Sequence, residues 1–101
     1  MVLRAEQGNT VILRYTVQDD QGAAIDLTDP YFKLYDQDKN EVLNYTLSGN
    51  PGVFNHPQTG TYEILLDTSS LSVATYTTEF GGTYLGNPYL QRDILQVKFV
   101  T

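Results

Sequence analysis

Apolar and polar side chains alternate with period two through nearly the whole chain, and this pattern confines it to extended structure. Val11, Leu13, Tyr15 and Val17 share one face of a strand, while Ile12, Arg14, Thr16 and Gln18 share the other. Tyr31 to Asp36 repeats the pattern, with Phe32 and Leu34 opposed to Tyr31, Lys33 and Tyr35. Further faces are formed by Leu43, Tyr45 and Leu47, by Tyr62, Ile64 and Leu66, by Tyr76, Thr78 and Phe80, and by Leu95, Val97 and Phe99. No stretch carries a helical stripe, an internal repeat or a low-complexity run.

Turn chemistry separates these runs. Asp19-Asp20-Gln21-Gly22 suits a turn, since Asp and Gly tolerate the backbone angles it needs. Ala24 to Thr28 is a short extended piece closed by Asp29-Pro30, and Gln37-Asp38-Lys39-Asn40 makes a tight hairpin. Ser48 to Gly60 is the longest irregular stretch, with Gly52-Val53-Phe54 as a one-rung strand inside it. Thr68 to Val73 predicts one helical turn capped by Thr68 or Ser69. Gly81 to Pro88 reads as a Gly-rich loop before a last strand, Tyr89 to Val100. About seven short strands at roughly 8–12-residue spacing predict an all-β, immunoglobulin-like antiparallel sandwich, a single domain over residues 1–101. The long mid-chain irregular segment favours a sandwich over a closed barrel.

Composition narrows function. Absence of Cys removes disulfides, thiolate metal sites and cysteine nucleophiles, and with Trp also absent the Cys…Trp…Cys pattern of antibody domains is excluded. Six basic against twelve acidic residues give a net charge of −6. Nucleic acid and anionic membranes are therefore poor partners, because both need clustered cations. Arg4, Arg14, Lys33, Lys39, Arg92 and Lys98 are scattered singly along the sequence. No apolar run approaches the roughly 20 residues of a spanning helix, and the N-terminus lacks a signal-peptide core. The expectation is a cytosolic product, or a mature fragment whose signal was removed.

Candidate chemistry is sparse, and the expectation is a protein with no catalytic residues, no cofactor and no metal. Asp36, Asp38 and Asn40 start like a Ca²⁺-binding loop, but Glu41 stands where that motif requires Gly and Leu47 where it requires the closing Glu. A plain hairpin tip uses the same residues. Asp19, Asp20, Asp26 and Asp29 form a second acidic group, read as solvated turn residues or as pooled Ca²⁺ ligands. A lone His56 assembles no metal site by itself, and packing against Pro57 accounts for it. No G-x-S-x-G elbow occurs. Asn44-Tyr45-Thr46 matches a glycosylation pattern that short chains carry by chance.

Eight tyrosines are the unusual count. Tyr45, Tyr62 and Tyr76 alternate with inward positions, and Tyr76 is placed for a tyrosine corner, its hydroxyl reaching back to nearby backbone. Tyr84 and Tyr89 instead flank the Gly-rich stretch, where exposed rings suit a contact surface for protein or for sugar.

Gly8-Asn9-Thr10-Val11-Ile12-Leu13, the run Val17 to Thr28 with its Asp-Leu-Thr close, the hairpin Tyr31 to Leu47, Thr59-Gly60-Thr61-Tyr62 and Leu71-Ser72-Val73-Ala74-Thr75-Tyr76 occur in one order. In that order they resemble the immunoglobulin-like structural modules of tailed phages and prophages, in particular the N-terminal domain of baseplate upper proteins. Ala74 departs from the family's usual Gly, and Gly81 to Pro88 has no counterpart in it. The resemblance implies a non-enzymatic virion protein of the tail, baseplate, neck or capsid surface. Such a protein is made in the host cytoplasm and forms homo-oligomers among other virion proteins. The contact residues expected are Tyr84, Leu85, Pro88 and Tyr89, with Phe54 and His56 next. The alternative is a carbohydrate-binding or adhesive module, with Ca²⁺ assistance as one form of it.

Overall fold

The structure, a computed structural model, describes residues 2–98. Eight strands occur among them: β1 (Val2–Glu6), β2 (Thr10–Thr16), β3 (Thr28–Tyr35), β4 (Glu41–Thr46), β5 (Phe54–Gln58), β6 (Thr61–Asp67), β7 (Ala74–Tyr84) and β8 (Asn87–Lys98). They form a five-stranded sheet in the order β1-β8-β7-β3-β4 and a three-stranded sheet in the order β2-β6-β5. Long-range pairing sets this order, because β1 joins β8 across the length of the chain and β3 pairs with both β4 and β7. The chain is an immunoglobulin-like β-sandwich. All the pairings are antiparallel except that of β1 with β8, which is parallel and which the alternation did not predict. The expected extension to Val100, and Phe99 facing inward, lie outside the described residues.

The alternation places the core as anticipated. Leu13, Tyr15, Phe32, Leu34, Tyr62, Ile64, Leu66, Tyr76, Phe80, Leu95 and Val97 are buried between the sheets. Phe80 on β7 stacks on Tyr15 of β2, ring centroids 4.6 Å apart, and meets Tyr62 at 5.2 Å and Phe54 at 6.3 Å. Four rings from both sheets thus close the centre that a disulfide spans in antibody domains. Thr78 stands two residues after Tyr76, where those domains carry a Cys. The Tyr76 hydroxyl donates to the Ser72 carbonyl at 2.9 Å, so the tyrosine corner is present. Burial raises the Tyr15 phenol above its ordinary value, and the Thr78 hydroxyl beside it pulls it partly back. That hydroxyl is itself aimed at the Asp93 carbonyl (3.3 Å), which leaves the Tyr15 oxygen without a well-formed hydrogen bond among the described residues.

Three local expectations are corrected. Gly81 to Tyr84 is strand, not loop: the expected Gly-rich loop shrinks to Leu85-Gly86 between β7 and β8. Gly is required at 81 because a Cβ there would lie 2.6 Å from the Tyr89 carbonyl oxygen and 2.8 Å from the Tyr31 hydroxyl. The irregular stretch before Gly60 contains the full strand β5, bulged between Asn55 and Gln58 where Pro57 has no N–H to give. The helical turn is a 3₁₀ turn at Thr68–Ser70, and its cap is Asp67, whose carboxylate accepts from the Ser69 N–H at 2.9 Å. Thr68, offered as a cap by the sequence, is buried and ties the chain at Gly8 and Asn9 to this turn.

Two turns share one geometry. In Asp19–Ala23 and in Asp36–Asn40 the Asp side chain accepts from the backbone N–H groups two and four residues on, each at 2.9 Å. The fourth residue has positive φ in both, Gly22 in one and Lys39 in the other. Asp36, Asp38 and Asn40 are therefore turn residues. No three His, Cys, Asp or Glu gather to hold a metal among the described residues. No helix among them is long and apolar enough to cross a membrane.

Candidate functional site

β7 and β8 are the two longest strands, and they run together to a hairpin tip at one end of the sandwich. The connection is two residues long, Leu85 at φ 52° and Gly86 at φ 80°. Positive φ at both positions is the type I′ geometry that matches strand twist, and Asn-Gly is its preferred sequence. Here a leucine occupies the first position and is 80% exposed. A β-turn residue with a large side chain in the left-handed region costs about 1 kcal/mol or more. The Asn87 amide, which donates to the Leu85 carbonyl at 3.4 Å, holds the tip in shape.

The flanking residues are placed differently from what the sequence suggested. Tyr84 and Tyr89 are half-buried and pack against the core, and the Tyr89 hydroxyl accepts from the Gln91 amide. Pro88 is exposed, on a part of β8 that β1 does not reach. Its missing N–H therefore faces no partner strand. Phe54 is 1% exposed and belongs to the core, so it is withdrawn as a contact residue. Its ring meets Tyr62 edge-on at 6.1 Å.

His56 is half-buried and lies in strand β5 rather than in a loop. Its ring stacks on Tyr62 at 4.3 Å, Nδ1 faces the Thr61 carbonyl at 2.8 Å, and Nε2 lies 3.1 Å from the Asp26 carboxylate. Both ring nitrogens thus face oxygen acceptors, an arrangement that the protonated imidazolium satisfies in full. The Gly60 N–H donates to Asp26 at 2.9 Å. That bond first, and His56 second, hold the Asp26 carboxyl below its ordinary value. A lowered carboxylate stabilises the fold above its unfolded-state value, and this contribution is lost as pH falls through the folded one. Stability should therefore decline as pH drops below 3.8, and Asp26→Asn should shrink that decline, read from thermal melts across the acid range. An identical acid profile in the variant would contradict this.

Leu85 thus stands alone as a large exposed apolar side chain at the tip, surrounded by anchored neighbours. Strand pairing brings the loop ahead of β3 to the same end, since Thr28 pairs with Thr83. Among the described residues, that end carries Asp19, Asp20, Asp26 and Asp29, and no Lys or Arg. The sequence singles out Leu85 only as one of several loop residues. Its conformation was not legible, because Leu-Gly is a rare filling of an Asn-Gly turn.

No family model matches the chain, and no curated protein matches it. Among solved structures, one named "Tim-1" is similar over 100% of this chain and 94% of its own, with 14% identity and a TM-score of 0.48. A likeness at that level bears on neither activity nor partner.

Proposed function

We propose that this protein is a non-enzymatic structural subunit of a phage virion, acting through protein–protein contacts made by the β7–β8 hairpin tip. The observation that carries the contact is Leu85, exposed by 80% and held at positive φ. A bulky residue kept in a sparsely populated backbone region, on an otherwise well-ordered tip, points to a role that outweighs its cost to folding. An exposed aliphatic anchor ringed by polar groups is what a partner's apolar pocket receives. The virion setting rests on the resemblance to tailed-phage immunoglobulin-like modules. Its partners are other virion proteins and copies of itself, and its place is the assembled particle. With a net charge of −6, neither nucleic acid nor an anionic membrane suits it. A carbohydrate platform would need flat exposed rings, and Tyr84 and Tyr89 are half-buried.

Leu85→Asn separates folding from contact. Asn suits the turn better, so the melting temperature should rise by roughly 4–8 °C for about 1 kcal/mol. Incorporation of the variant into particles should fall sharply. A variant that enters particles as well as the parent chain overturns the assignment of the tip.

A further inference from the structure

A row of backbone groups along one side of the three-stranded sheet meets no strand. β2 is an edge strand, hydrogen-bonded to β6 alone. In an antiparallel ladder both backbone groups of a residue point to the same side, and the side alternates along the strand. Val17 gives its N–H to Gly60 at the end of β6, so odd-numbered residues face β6 and even-numbered ones face outward. The Thr16 carbonyl agrees, since it accepts from the Gln91 amide of β8 at 3.3 Å. Thr10, Ile12 and Arg14 therefore present N–H and C=O groups to the free edge, unbonded among the described residues.

The other edges are blunted by the devices that keep strands from pairing. β5 is bulged and carries Pro57. β4 has a shifted ladder, and Asn50 takes up both the N–H and the C=O of Thr46. β1 has Arg4 and Glu6 among its five residues, and the part of β8 beyond it starts at Asn87-Pro88. β2 runs seven residues in unshifted register without Pro. Its one charged side chain is drawn back over its own sheet, where Arg14 Nη2 meets Glu63 at 2.6 Å. Ile12 is 61% exposed and lies opposite half-buried Leu65 on the outer face.

Charge indicates what kind of strand fits. Residues 7–27 and 47–73 hold β2, β5, β6 and their loops. Besides His56 they contain one basic residue, Arg14, against Asp19, Asp20, Asp26, Glu63 and Asp67. The other five Lys and Arg lie on the five-stranded sheet or in its β3–β4 turn. Two copies meeting edge to edge would bring two of these acidic halves together, whereas a basic segment is attracted to one.

We propose that the free edge of β2 takes up an extended, basic segment of a partner protein as a fourth strand of this sheet. Backbone bonds at Thr10, Ile12 and Arg14 hold the segment, and an apolar side chain beside Ile12 sets its register. This surface is separate from the hairpin tip and does not depend on that reading.

The test uses a capped peptide of the seven-residue length of β2, alternating valine and threonine with a lysine at each end. Amide hydrogen exchange of the full chain is followed by nuclear magnetic resonance with and without it. The Ile12 and Arg14 amides should slow by about tenfold once about nine-tenths of the sites are filled. Leu13 and Tyr15, already paired with β6, should not change. The same peptide N-methylated throughout should slow neither amide. One with glutamate in place of lysine should bind about tenfold more weakly at about 0.01 M salt, where charges are little screened. Ile12→Pro removes an outward N–H without touching the ladder to β6, and should lose the peptide; Ile12→Thr keeps that N–H and should still bind. Leu85→Asn should bind as the parent chain does, so the tip reading and this one fail separately. Amides unmoved by the lysine peptide, or slowed equally by either altered form, overturn the proposal. So does protection of Ile12 and Arg14 that grows with protein concentration alone, since a second copy then covers the edge.

Discussion

Replacing Phe80 by alanine should cost about 4 kcal/mol, a large share of the roughly 5–15 kcal/mol that holds a domain of this size together. Phe80 is fully buried on β7, and its ring touches Tyr15, Tyr62 and Phe54, all from the opposite sheet. Truncation removes the contact that joins the two layers at their centre, and three large rings cannot collapse into the gap without leaving their own positions. Without a disulfide no covalent tie compensates. The melting temperature should fall by roughly 15–30 °C, and urea unfolding should show an earlier midpoint with an unchanged slope. A loss under about 1 kcal/mol would mean that the sheets close elsewhere.

Gly81→Ala should be nearly as damaging, at about 3 kcal/mol, for the opposite reason. The added methyl would sit 2.6 Å from the Tyr89 carbonyl of β8 and 2.8 Å from the Tyr31 hydroxyl. One is backbone and must be pushed away; the other is pulled from Glu79, which then loses a hydrogen bond while still buried. This gives a second readout. Burial first, and then Glu79, push the Tyr31 phenol up to about 12. A raised phenol stabilises the fold below the unfolded-state value of 10.0, and that contribution is lost as pH climbs toward about 12. In the variant one tyrosine titration, followed by ultraviolet absorbance, should move from about 12 back toward 10.0. An unmoved titration would mean that the phenol keeps its partner and the strain is absorbed by β8 alone.

The same glycine shows where reading from residue types stops. Gly81 and Gly82 look like loop residues because they lack a side chain. They are strand residues because other atoms need the space: Tyr31 and the Tyr89 carbonyl at one, Leu27 and the Thr28 carbonyl at the other. Only the folded arrangement reveals such neighbours. Strands with a regular apolar face, β2, β3, β6 and β7, were legible, since one buried face dictates their alternation. β1 was not, because it is short and its partner lies at the far end of the chain. β5 was hidden by His56-Pro57, which reads as irregular until its bulge is seen. Phe54 reads as a contact residue for the same reason, although it is buried. For the proposed contact, the sequence singles out the segment from Tyr84 to Tyr89, while the turn geometry that isolates Leu85 is visible only in the structure.

The parallel pairing of β1 with β8 has a mechanical consequence. Val2 lies opposite Ile94 and Glu6 opposite Lys98, so the chain enters this ladder at one end and leaves it at the other. Traction on the two ends pulls β1 and β8 past each other along their length. Every rung between Val2 and Glu6 then shares the force, and none can yield before its neighbours. Had the two strands been antiparallel, the same pull would have opened the rungs one at a time, like a zip.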